Sequence, residues 1–216
     1  MALRICFIGD SITTGTGDHT MLGWPGRICA AACSRGHDVT LYNLGVRGET
    51  SQDIKRRWRA EAAPRMLAGM NCAMVFAFGL NDCVLVDDAK LRAEPGQTAI
   101  NARAVLTEAK AWLPSLFIGP APVDDTRSPP LLIAGKKIRI QNIQIAEANQ
   151  VLARVMAEID VPYLDVFTQL TENPQWHELM KQGDGVHPPG QGYDLLAQSI
   201  LNWEPWCRLL GQPSIP

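Results

Sequence analysis

Short apolar runs alternate with amphipathic or polar stretches along the whole chain, and this alternation defines the expected elements. Leu3 to Gly9 is an apolar run rich in β-formers that stops at a glycine, and it reads as a first strand. Trp24-Pro25 opens a helix, with proline where its missing N–H costs nothing, and the helix closes near Gly36. Val39 to Leu44 has the β-branched and aromatic content of a second strand. Thr50 or Ser51 then caps a helix that continues to about Pro64. Ala73 to Gly79 is wholly apolar, as expected of a strand covered on both faces. A loop to about Gly96, a helix to about Trp112 and a strand from Leu116 to Ile118 follow.

Further on, Ile145, Ala148, Leu152, Val155 and Ile159 step by three and four residues along one helix face. Val161 to Val166 is a fifth strand, short and carrying Pro162, as suits a sheet edge. A last helix turns Tyr193, Leu196, Ile200 and Trp203 towards a core. Strand and helix alternate throughout, which implies parallel strands joined by right-handed crossovers. No repeat or linker interrupts the pattern, so residues 1–216 are expected to form one domain. The longest irregular stretch is Asp124 to Gly135.

Composition narrows the function. With 46% hydrophobic residues in 216, the chain can bury a substantial core, and a formal net charge of −2 gives no global basic field for nucleic acid. Lys55, Arg56, Arg57 and Arg59 crowd one helix, but Glu49, Asp53 and Glu61 flank them, so a solvated face is expected. No apolar run approaches the ~20 residues of a membrane span, and Met-Ala-Leu-Arg leads straight into a strand without a leader pattern. A soluble, cytoplasmic protein without membrane insertion is expected; oligomeric state is not legible. Six cysteines, several within apolar runs, fit reduced, buried thiols. Cys29 and Cys33 lie one helical turn apart, but no matching pair completes a metal site. The glycine-rich loop Thr13 to Gly23 has Thr20 where a dinucleotide fingerprint needs glycine, and no phosphate-loop triplet follows, so no cofactor is expected.

The chemistry converges from distant positions. Strand-end loops of a parallel sheet share one crevice, and Ser11, Gly48, Asn81 and the loop from Asp184 to His187 all belong to such loops. Ser11 also fits an ordinary turn or capping role, and each of the others has a plain reading as turn former or surface residue. Together they supply the parts of acyl transfer. Ser11 is a nucleophile in need of a base, His187 is the base, and Asp184 can fold back to fix its tautomer. The N–H groups of Ser11 and Gly48 and the side-chain amide of Asn81 are donors for an oxyanion.

Gly9-Asp10-Ser11-Ile12, Gly48, Gly79-Leu80-Asn81-Asp82 and Asp184-x-x-His187 resemble, in order, the four sequence blocks of the GDSL or SGNH family of lipolytic hydrolases. Ile12 stands where the family name has leucine, a volume-conserving swap. The resemblance implies an α/β fold, a flavodoxin-like three-layer αβα sandwich with a five-stranded parallel sheet in the order 2-1-3-4-5. It also implies a Ser11–His187–Asp184 triad and an oxyanion hole of Ser11, Gly48 and Asn81. Asp10 and Asp82 are expected to hold loops rather than do chemistry. The expected function is hydrolysis of a small-molecule carboxylic ester through an acyl-enzyme, with a thioester, a lysophospholipid or an acetylated sugar as alternative acyl donors. A non-catalytic binding module of the same fold would lack at least one of these residues, and none is missing. Leu131, Leu132 and Ile133 are expected either to wall the crevice against an acyl chain or simply to cap the core.

Overall fold

A computed structural model describes residues 2–88, 90–126, 131–133 and 136–211, with only the backbone described at 131–133 and 136. Its strands are β1 (Leu3–Gly9), β2 (Val39–Gly45), β3 (Asn71–Ala77), β4 (Leu85–Val86), β5 (Lys90–Leu91), β6 (Ser115–Ile118), β7 (Leu131–Ile133), β8 (Lys136–Arg139) and β9 (Tyr163–Leu164). Its helices are α1 (Ser11–Thr14), α2 (Gly23–Ser34), α3 (Ser51–Ala62), α4 (Pro95–Trp112), α5 (Asn142–Glu158), α6 (Val166–Thr171), α7 (Pro174–Gln182), α8 (Gly190–Leu201) and α9 (Glu204–Leu209).

The large sheet runs β2-β1-β3-β6-β9, and every neighbouring pair is parallel. Counted within that sheet alone, the order is the expected 2-1-3-4-5. Alternation along β1 sends Leu3, Ile5 and Phe7 into one core with Trp24 and Ile28 of α2 and Tyr193, Leu196 and Ile200 of α8. Cys6 and Ile8 point the other way, into a second core with Ile54 and Trp58 of α3, Leu106 of α4 and Leu152 of α5. The sheet is thus the middle layer of three, which is why β1 and β3 read as continuous apolar runs. Trp58 is fully buried and meets Phe76 edge to face at 5.6 Å, so truncating it to alanine would cost about 3–5 kcal/mol.

Several expectations are corrected. The stretch read as loop from 80 to 96 contains a 3₁₀ turn (Asn81–Cys83) and the strands β4 and β5. The stretch read as irregular from 124 to 135 contains β7. With β8 these build a second, antiparallel sheet in the order β5-β4-β8-β7. Two-residue strands are too short for alternation to register, and β8, one of the two partners of β4, lies some fifty positions away, as in Leu85 opposite Arg139. The helix bearing Tyr193 is not the last, since α9 follows it, and Trp203 is only half-buried. Arg57 departs from the solvated face expected of its helix. It bonds Glu49 at 2.5 Å, Glu61 at 2.9 Å and the Gly9 carbonyl at 3.1 Å. No helix among the described residues is long and apolar enough to cross a membrane.

Candidate active site

At the carboxyl end of β1 the chain must turn at once without blocking its neighbours. Gly9 permits this, because a Cβ there would lie 2.1 Å from Thr13 Oγ1 and 2.2 Å from the Ala77 carbonyl oxygen. Asp10, rather than Ser11, caps α1, its Oδ1 accepting from the Ile12 N–H at 3.0 Å. Ser11 is therefore the first helical residue, and its own N–H has no intrahelical acceptor. It is buried, at 5% exposure.

The turn after Gly183 supplies the partners of Ser11. Asp184 Oδ1 accepts from the backbone N–H of Val186 at 2.9 Å and of His187 at 2.7 Å, which folds the loop back on itself. Asp184 Oδ2 then lies 2.7 Å from His187 Nδ1, and His187 Nε2 lies 2.8 Å from Ser11 Oγ. Burial alone would raise the Asp184 carboxyl, but hydrogen bonds from the His187 ring and backbone outweigh it and hold the group well below the usual carboxylate range. An ionised Asp184 keeps the imidazole proton on Nδ1 and leaves the Nε2 lone pair facing the serine hydroxyl. Behind this loop, Tyr193 Oη of α8 donates to the Thr16 carbonyl at 2.7 Å, and Arg27 of α2 pairs with both Asp18 and Asp194. These contacts fasten the helix after His187 to the loop after Ser11.

Gly48 and Asn81 come to the same place from the ends of β2 and β3. Gly48 holds φ +79°, a conformation open to glycine, and its carbonyl accepts from Arg92 Nη1 at 2.8 Å. Asn81 Nδ2 donates to Asp10 Oδ2 at 3.1 Å. The next residue, Asp82, accepts from the Ser51 N–H at 2.8 Å and from Thr98 Oγ1 at 2.9 Å, pinning the 3₁₀ turn to α3 and α4. Both aspartates thus serve as loop anchors, as expected. Burial raises the Asp10 carboxyl to about 6, against smaller opposing effects of the Ile12 N–H and His187.

Ser11, Gly48, Asn81, Asp184 and His187 all line a cleft of about 650 Å³. Its apolar lining is Leu80, Val84, Val86, Ile138, Ile140 and Val186, and Arg47 and Arg92 complete it. Alternation on β8 explains the division of labour there: Ile138 faces the cleft, while Lys137 and Arg139 pair with Asp88. The wall sought in Leu131, Leu132 and Ile133 falls outside the described side chains; their backbone is β7, hydrogen-bonded to β8. Sequence reading missed Val86, Ile138 and Arg92. The signal available was the short alternation Lys137-Ile138-Arg139-Ile140.

The sequence matches the model of the GDSL-like lipase/acylhydrolase family over residues 7–195. The chain belongs to that family. Among solved structures, a lipase/acylhydrolase from Enterococcus faecalis is 25% identical, with a TM-score of 0.76 and 99% of each chain covered. A member of the lipolytic G-D-S-L family from Veillonella parvula is 21% identical, with a TM-score of 0.70 over 93% of this chain and 97% of that one. An acetylxylan esterase from Geobacillus stearothermophilus is 17% identical, with a TM-score of 0.65 over 99% of this chain and 96% of that one. The latter two share the fold. A search of curated proteins gave no match.

Proposed function

We propose that this protein is a serine ester hydrolase acting through an acyl-enzyme, with Ser11 as nucleophile, His187 as general base and acid, and Asp184 as the residue that orients His187. The observation that carries the reading is the unbroken chain Asp184 Oδ2 to His187 Nδ1 (2.7 Å) and His187 Nε2 to Ser11 Oγ (2.8 Å) inside the cleft. Ser11 Oγ attacks the ester carbonyl as His187 Nε2 takes its proton. The oxyanion that forms receives the N–H groups of Ser11 and Gly48 and the second amide hydrogen of Asn81. Collapse expels the alcohol, which takes the proton from His187. Water, activated by the same imidazole, then releases the acid and restores the serine.

The lining of the cleft supports a substrate class. Its apolar side suits a short acyl or aryl group, and one of the structural neighbours is named an acetylxylan esterase. Soluble short-acyl esters are therefore the proposed substrates of what we take to be one catalytic domain. The test is labelling with a serine-directed fluorophosphonate, read by intact mass and peptide mapping. One adduct, on Ser11, supports the reading, and an adduct elsewhere contradicts it.

A further inference from the structure

We propose that Arg47 and Arg92 form an anion-binding subsite beside Gly48, so that the preferred substrates are esters carrying an anionic group, a carboxylate being the simplest. This inference rests on the ester-hydrolase reading and names the substrate class of the same cleft. Arg47 directly precedes Gly48, lines the cleft and is exposed, and no hydrogen bond or ion pair engages its guanidinium among the described residues. The arginines of α3 contrast with it. Arg57 bonds two glutamates, Arg56 pairs with Asp53, and Arg59 stacks on Trp112 at 3.4 Å and faces Glu108.

Arg92 uses one donor, Nη1, on the Gly48 carbonyl, and guanidinium has five. The remaining donors make no hydrogen bond among the described residues. Other charges near the pair are already engaged. Asp184 is committed to His187, Asp53 to Thr50, and Asp82 to Ser51 and Thr98. Two cations therefore face the cleft against one satisfied carboxylate, and both have donors left for a charge-assisted bond. Arg47 and the proposed oxyanion donor Gly48 line the same cleft, so the anion and the scissile carbonyl belong to one substrate.

Two matched ester pairs test the subsite and separate the two sides of the ester. On the acyl side, para-nitrophenyl hydrogen glutarate is compared with para-nitrophenyl pentanoate. On the alcohol side, para-acetoxybenzoate is compared with para-tolyl acetate. In at least one pair, kcat/KM for the anionic member should exceed that of the neutral one by roughly tenfold at low salt, and the ratio should shrink as salt rises. Arg47→Gln should lower that ratio roughly tenfold, and Arg47→Lys should restore part of it. A ratio near or below one in both pairs, or a ratio that Arg47→Gln leaves unchanged, overturns the subsite. Calorimetric titration of Ser11→Ala protein, with and without Arg47→Gln, against the glutarate and pentanoate esters decides the same point without turnover. If neither ester is cleaved by the wild type, the hydrolase reading fails. Equal binding of the two esters fails the subsite alone.

Discussion

Asn81 Nδ2 donates to Asp10 Oδ2 at 3.1 Å, so the residue preceding Ser11 holds an amide that begins seventy-one positions later in the chain. That bond commits one of the two amide hydrogens of a residue that lines the cleft, and the other is the one proposed to meet the oxyanion. Asn81→Ala should therefore lower kcat by ~10²–10³ with KM little altered, as for a donor used mainly in the transition state. Steady-state kinetics on a short-acyl ester checks this. A raised KM with unchanged kcat would make Asn81 a ground-state contact instead.

Asp10 carries a pH dependence of its own. Burial raises its carboxyl from an ordinary value near 3.8 to about 6, so the folded protein holds this proton more tightly than the unfolded chain does. The contribution to stability is fully present below the unfolded value and is lost as pH rises through about 6. Asp10→Asn cannot ionise and escapes that loss. Urea melts at about pH 4 and about pH 7.5 should show the wild type losing on the order of 2–3 kcal/mol relative to Asp10→Asn over that interval. A constant difference between the two proteins would contradict the assignment.

Asp184→Asn isolates the orienting role. The variant's side-chain oxygen can keep the two backbone bonds from Val186 and His187, but its NH₂ then faces His187 Nδ1. The imidazole must accept there and carry its proton on Nε2, opposite Ser11 Oγ, where a base is required. A fall in kcat of ~10³–10⁴ with little change in Tm is expected. Recovery of rate at alkaline pH to near wild type would show that tautomer control is not what Asp184 supplies.

The apolar side of the cleft should set acyl-chain preference. Val86 and Ile138 come from β4 and β8, which face each other across an antiparallel pair. Val86→Ser with Ile138→Ser should flatten the profile of kcat/KM over an ester series from acetyl to palmitoyl, since each lost apolar contact removes at most about 1–3 kcal/mol of discrimination. The wild-type optimum is expected among short, soluble esters. An optimum on emulsified long-chain esters, or an unaltered profile in the folded double variant, would reject this wall.

These residues also mark where sequence reading stops. The ends of β1, β2 and β3 were legible because each apolar run halts at a glycine and is followed by polar residues, and Asp184 and His187 share one turn. The topology of a parallel sheet is enough to bring Ser11, Gly48 and Asn81 together, whereas the turn from Asp184 to His187 lies between α7 and α8 rather than at the strand end expected of it. Val86 and Ile138 were not legible, because β4 spans two residues and its pairing with β8 is non-local. Arg57 was misread for a related reason. Its place on a charged helix said nothing of the Gly9 carbonyl that it reaches forty-eight positions away. The extra helices α6 and α7 are short and lie between recognised elements, so no long periodicity announced them.

The central claim is that Ser11 is the nucleophile, and covalent labelling measures it directly. Intact mass after incubation with a fluorophosphonate should show a single adduct on the wild type, mapped to the peptide bearing Ser11, and none on Ser11→Ala. The variant should lose ester hydrolysis while melting close to the wild type, because Ser11 Oγ has one described side-chain partner, His187. An adduct on Ser11→Ala protein, or ester hydrolysis surviving the substitution at the wild-type rate, would contradict the account.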